Sequence, residues 1–147
     1  MDLFAMLKKD HDEVKKVLGA LVGSTGRATK SRQSGFQKLQ ELLIPHMVAE
    51  EEMFYPIIIQ ESQAEKGYQA MEEHRAARAV LSDLKELDFG DDKWHARCQV
   101  LAELLEHHIE EEESDIFEAA RDVIDDERSQ KLAKQFQAKK EEAQQQV

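Results

Sequence analysis

Four histidines and two glutamates recur in this chain at a spacing that suits cation binding. Residues 39–52 and 101–114, held at a constant offset of 62, both read L-x-E-L-L-x-x-H-x-x-x-E-E. They match at Leu39/Leu101, Glu41/Glu103, Leu42/Leu104, Leu43/Leu105, His46/His108, Glu50/Glu112 and Glu51/Glu113. On a helix at about 100° per residue the histidine falls at the centre of the leucine stripe, and the carboxylate four residues later stands one turn above it on the same face. An ionised carboxylate taken out of water is tolerated in a core only when it is paired, hydrogen-bonded or bound to metal. A histidine stacked on a glutamate inside an apolar stripe is therefore a candidate cation site.

Two more histidines lie mid-stripe on helices of their own. His11 stands among Phe4, Leu7, Val14, Leu18 and Val22, and His74 among Ala70, Met71, Ala77, Leu81 and Leu84. His11 precedes His46 by 35 residues and His74 precedes His108 by 34, so the chain is twice a helix with a histidine followed by a helix with His-x-x-x-Glu. The candidate ligand set is His11, His46, Glu50, His74, His108 and Glu112.

Four helices must bring these stripes to one axis. The first is expected over residues 2–22, ended by Gly23-Ser24-Thr25-Gly26. A polar connection over 27–33, with Ser31 as N-cap, leads to a second helix carrying Phe36, Leu39, Leu42, Leu43, His46, Glu50, Met53 and Ile57. Pro45 removes a hydrogen bond to the carbonyl of Glu41 and should kink this helix, and Pro56 should bend or end it. A break near 60–67, ending in Gly67, precedes the third helix. The turn Phe89-Gly90-Asp91-Asp92, with an aspartate as cap, precedes a fourth that runs from about Lys93 to Arg121 and includes Trp94, Leu101 and Ala119. Residues 127–146 can form a further helix, but only Leu132, Ala133 and Phe136 give it an apolar side, as expected of a lid or a frayed tail. The pattern predicts an all-α protein. It is an up-down-up-down antiparallel four-helix bundle over 1–124 with a short C-terminal helical extension, a charged tail over 125–147.

Composition agrees. The 147 residues suffice for one core, and few prolines (2) and glycines (6) favour helices throughout. A formal net charge of -11 argues against nucleic acid and anionic membrane as partners, since both call for basic surface. Cys98 is alone, so no intramolecular disulfide forms, and a reducing compartment is the simpler reading. The first residues, Met-Asp-Leu-Phe-Ala-Met-Leu-Lys-Lys-Asp-His, hold no apolar run of signal-peptide or membrane-span length, so a cytoplasmic location is expected.

The order His, His-x-x-x-Glu, His, His-x-x-x-Glu resembles the hemerythrin-like, or HHE cation-binding, family over roughly residues 3–120. The match extends to His11-Asp12-Glu13, to Glu-Glu-Met-Phe-Tyr-Pro after His46, and to Glu73 before His74. The resemblance implies two iron ions bridged by both glutamates and by an oxo or hydroxo group. Imidazole with carboxylate suits iron, and manganese and zinc remain open as alternatives. Hemerythrins proper carry His-x-x-x-His on the third helix, whereas here Arg78 stands four residues after His74, and arginine cannot ligate a metal. In those carriers the second bridging carboxylate is an aspartate one residue further along. Both departures place the chain with His4Glu2 relatives and point away from reversible oxygen carriage. They point towards sensing or handling of oxygen, nitric oxide or peroxide, or towards iron homeostasis.

Three readings are weighed. One is a metal protein that binds or senses a small ligand or buffers iron, the second an oxidoreductase turning over peroxide or nitric oxide at the same centre, and the third a non-metal helical interaction bundle. No general acid or base is identifiable beyond the ligands, and oligomeric state is not legible. His107 aligns with Pro45 and points about 100° off the stripe, so it is set aside as a ligand, and His95 lies on the far side of its helix. Glu51, Glu52, Glu110, Glu111 and Glu113 are read as solvated acids or as partners of the ligands. No histidine follows a glutamate by three residues, which excludes the ferritin-like Glu-x-x-His pattern, and no His-Glu-x-x-His of a zinc protease occurs.

Overall fold

The computed structural model describes residues 1–147, all of them helix or short connections, with no strand. Helix α1 (Leu3–Val22) starts at Asp2, whose Oδ1 accepts from the Ala5 N–H at 2.8 Å. Helix α2 (Thr29–Ala49) passes without interruption through Pro45 into a π-helical turn, Glu50–Phe54, and on into α3 (Tyr55–Glu61). Helix α4 (Ala64–Lys85) is followed by α5 (Asp92–Glu111), which Asp91 caps through the Lys93 N–H. A second π turn, Glu112–Ile116, continues into α6 (Phe117–Arg121). Helix α7 (Asp126–Gln144) begins at Asp125, whose Oδ1 accepts from the Arg128 N–H.

Several boundaries differ from the sequence expectation. The second helix starts at Thr29 with no side-chain cap, so Ser31 lies inside it. Arg32, placed in the polar connection by its type, is buried: it donates to Ser24 Oγ at 2.8 Å, to the Ser24 carbonyl at 3.0 Å and to the Phe89 carbonyl, and lies over the Trp94 ring. One guanidinium thereby ties the α1–α2 loop to the α4–α5 loop. Pro56 sits in the first turn of α3, directly after the π turn, and does not end the helix, which continues to Glu61. The break shrinks to Ser62–Gln63, and Gly67 falls within α4. A β-carbon there would stand 2.5 Å from Ile59 Cγ1, so the close approach of α3 and α4 requires glycine.

Helix α7 is a fifth long helix packed on α2 and α1, where a frayed tail was one expectation. Phe136 is fully buried, Leu132 and Ala133 are buried beside it, and Ser129 Oγ accepts from the Leu3 N–H at 3.0 Å. Arg128 clamps Glu61 with bonds of 2.8 and 2.6 Å. Phe136→Ala is expected to cost about 3–5 kcal/mol in urea or thermal unfolding, because it hollows a shared core. A change below 1 kcal/mol would mean that α7 detaches in solution.

The apolar interior is in two parts. Leu3, Phe4, Leu7, Ala49, Phe54, Ala70, Ile116, Phe117 and Phe136 belong to one cluster, and Val14, Leu18, Leu39, Leu43, Met47, Ala77, Leu81, Leu101 and Leu105 to the other. On three of the helices the change from one cluster to the other occurs at a histidine, and on α2 it falls between Met47 and Ala49, just past His46. His11 falls between Leu7 and Val14, His74 between Ala70 and Ala77, and His108 between Leu105 and Ile116.

Candidate metal centre

The layer between the two clusters is made of the six residues singled out by spacing. His11, His46, Glu50, His74, His108 and Glu112 are all buried, both glutamates completely. His46 and Glu50 stack at i, i+4, with Nε2 3.0 Å from Oε1, and His108 and Glu112 do the same at 3.0 Å. His74 Nε2 lies 3.2 Å from Glu50 Oε1, and His11 Nε2 3.8 Å from Glu112 Oε2. Glu50 thus reaches towards both halves of the layer, with His11 and His46 on one side and with His74 and His108 on the other.

Each histidine is held from behind by a carboxylate that is the sequence neighbour of another helix's ligand. His11 Nδ1 pairs with Glu113 Oε2 at 2.7 Å, His46 with Asp10 Oδ2 at 2.8 Å, His74 with Glu51 Oε2 at 2.7 Å and His108 with Glu73 Oε1 at 2.6 Å. An ionised carboxylate only accepts, so Nδ1–H is the donor in all four and Nε2 faces the layer's centre. Such carboxylates fix ring orientation and raise ligand basicity. They also lace α1, α2, α4 and α5 into a closed ring. Asp10 is answered by Lys140 of α7, whose Nζ lies 2.8 Å from each of its oxygens, and the Phe136 ring packs edge-on to His46. Glu51 is answered by Arg78, whose Nη1 donates to Oε2 at 2.6 Å.

Sequence reasoning included Tyr55 in the motif after His46 but gave it no role at the site. Its hydroxyl lies 3.1 Å from each of Glu50 Oε1, Glu112 Oε2, His74 Nε2 and His108 Nε2. On an α-helix a residue five positions beyond Glu50 points about 140° away from it, which takes Tyr55 off the stripe. The π turn bonds the Tyr55 N–H to the Glu50 carbonyl, a ring of five residues that returns Tyr55 to the ligand face. Its counterpart at the repeat offset is Phe117, which lacks a hydroxyl and packs on Phe4. The two halves of the layer therefore differ by one phenolic oxygen.

The electrostatics are those of a site built for positive charge. Burial pushes Glu112 up, and the adjacent Glu50 adds to it, so its pKa reaches about 7. Burial works against charge on His46 and on His108, yet Glu50 with Asp10, and Glu112 with Glu73, outweigh it and raise both to about 10. His11, where burial dominates and His46 adds repulsion, is lowered to about 4. Burial and the facing carboxylates Glu112 and Glu50 keep the Tyr55 phenol protonated well above its ordinary range.

The donor set fits cations. Buried side-chain atoms with no hydrogen-bond partner are His11 Nε2, His46 Nε2, Glu50 Oε2, Glu112 Oε1 and Trp94 Nε1. Four of these five belong to the layer, although such atoms are costly to leave unpaired. His46 Nε2 counts among them despite its 3.0 Å approach to Glu50, because the two are not aligned as donor and acceptor. Unpartnered imidazole nitrogens and carboxylate oxygens converging in one buried layer are compatible with metal binding.

Comparison with known proteins agrees with this chemistry. The family model described as "Hemerythrin HHE cation binding domain" matches residues 2–120. A solved structure of a hemerythrin HHE cation binding domain-containing protein from Mycobacterium kansasii is similar in fold, with a TM-score of 0.86, 22% identity, and coverage of 99% of this chain and 89% of that one. A DNA nickase from Nostoc sp. is 24% identical over 147 residues, and the chain spans 41% of that relative's length.

Proposed function

Since the chain belongs to the hemerythrin HHE cation-binding domain family, we propose that its buried layer holds two iron ions and that it handles a small ligand such as oxygen, nitric oxide or peroxide, in sensing, binding or iron homeostasis. The observation that carries this reading is the convergence of unpartnered nitrogen and oxygen atoms of His11, His46, Glu50 and Glu112 in one buried layer. His11 and His46 would hold one ion, His74 and His108 the other, with Glu50 and Glu112 shared between them. When bound, such a pair supplies redox capacity and a Lewis-acidic position for an exogenous molecule. The chain's own residues do the rest. Asp10, Glu51, Glu73 and Glu113 orient the imidazoles, Phe136 and the flanking clusters exclude water, and Tyr55 holds a proton at Oη.

Elemental analysis of protein produced under iron supply is expected to return two iron ions per chain. One zinc ion, or no metal, would overturn the assignment. No nucleic acid is proposed as partner, because a net charge of -11 repels a phosphate backbone.

Tyr55 favours a second reading, an oxidoreductase that consumes peroxide or nitric oxide. Its hydroxyl, kept protonated, is a hydrogen-bond donor in direct reach of the layer, which could orient a reacting molecule and which ligand storage does not need. Steady-state consumption by the loaded protein that falls in Tyr55→Phe would select this reading. Absence of turnover would select binding or sensing.

A further inference from the structure

The outer flank of α4 and α5 repeats the ligand pattern one residue out of phase. Glu73, His107 and Glu111 immediately precede His74, His108 and Glu112 in the sequence, so His107 and Glu111 form another His-x-x-x-Glu pair, about 100° round α5 from the inner one. Their ligand atoms and those of Glu73 all lie within 4.8 Å of one another, with His107 Nε2 3.2 Å from Glu111 Oε1. A divalent ion with bonds of about 2.0–2.2 Å needs donors about 3.3–3.6 Å apart, a closure that rotamer changes of two glutamates can supply.

The pairing of Asp10 with an ammonium gives the comparison for Glu73. Asp10, the residue before His11, orients His46 and is answered by the ammonium of Lys140, which touches both its oxygens. Glu73, the residue before His74, orients His108 in the same way, but its only ion-pair contact is His108 itself. Glu111 pairs with His107 alone. Lys66 lines the same cleft as Glu73 and Glu111 but makes no ion pair with either, and two carboxylates and an imidazole converge there instead.

We propose that Glu73, His107 and Glu111 form a third site, on the surface, for a divalent transition-metal ion of the zinc or ferrous class. The ion takes the place at Glu73 that Lys140 takes at Asp10. With His107 66% exposed, Glu111 36% and Glu73 22%, water completes its coordination and the ion exchanges with solvent. The site goes beyond the proposed buried pair and does not depend on it.

The test is calorimetric titration of Zn2+ into tag-free protein carrying its buried ions at pH 7. One further equivalent is expected, weakened by about tenfold or more in His107→Ala and in Glu111→Gln, with the buried metal content unchanged. No further equivalent, or one that His107→Ala leaves intact, would overturn the proposal. Should the protein prove to carry no buried ions, the same titration still decides. An equivalent lost in His107→Ala and kept in His11→Ala supports the surface site, and one lost in His11→Ala alone refutes it.

Discussion

Stripping the cations from the purified protein is expected to lower its melting temperature by about 8–16 °C at pH 7. A ligand at about a thousandfold its Kd adds about 4 kcal/mol to the folded state, and each kcal/mol moves the midpoint of a chain of this size by about 2–4 °C. The physical cause is the pair Glu50 and Glu112, both fully buried and facing each other, with nothing but protons to replace the ions. The sign of the pH dependence follows. In the ion-free chain His46 and His108 are raised from 6.5 to about 10, and Glu112 from 4.5 to about 7. A raised group stabilises fully below its unfolded pKa and loses that contribution as pH rises through the folded one. The stripped protein should therefore lose stability steadily from about pH 6.5 to 10. His11, lowered to about 4, acts oppositely: its contribution is present above 6.5 and lost as pH falls through 4, so it offsets Glu112 between 4.5 and 6.5. The loaded protein should show a shallower alkaline slope, because its ions occupy the places of those protons. Thermal melts with and without chelator, at pH 7, 8 and 9.5, check both statements. Coincident melts at pH 7 would mean that the layer holds no tightly bound ion.

The convergence of the six polar residues was legible because each half of the chain repeats an α-helical stripe, and a histidine that interrupts leucines in phase can only point inward. Tyr55 was not legible, since its place depends on a π turn that α-helical periodicity cannot register, and nothing in Glu50–Phe54 marks the turn by residue type. The burial of Arg32 escaped for a related reason. Its three acceptors are Ser24 atoms and the Phe89 carbonyl, brought together only when two distant loops meet. Helix α7 has only Leu132, Ala133 and Phe136 at its centre, a narrow stripe for a buried face, yet it is fixed by polar pins that hydropathy does not report, Lys140 on Asp10 and Arg128 on Glu61. Where a stripe alone decided the outcome, the sequence was informative. Where backbone hydrogen bonding or a long-range ion pair decided it, it was not.

If the layer holds the two ions proposed, Glu112→Ala and His74→Ala are each expected to release at least one, whereas Arg78→Ala should keep both. Glu112 is shared between the halves, with Oε2 3.0 Å from His108 Nε2 and 3.8 Å from His11 Nε2, so its loss removes a ligand common to both positions and leaves Glu50 as the only buried carboxylate between them. Arg78 occupies the sequence position where hemerythrins proper carry a fifth histidine, but its guanidinium turns outward. It is 38% exposed and spends its charge on Glu51 Oε2, the oxygen that also accepts from His74 Nδ1. Removing it leaves Glu51 bonded to His74 and costs no more than about 1 kcal/mol, as for other part-exposed ion pairs. The oxygens that do face the layer beside His74 are the Tyr55 hydroxyl, 3.1 Å from Nε2, and Glu50 Oε1, 3.2 Å from it. Metal content per chain after gel filtration separates the cases: two ions in Arg78→Ala, fewer in Glu112→Ala and His74→Ala. Loss of metal in Arg78→Ala with full retention in Glu112→Ala would show that the ions sit on the α4 flank rather than in the layer between the two cores.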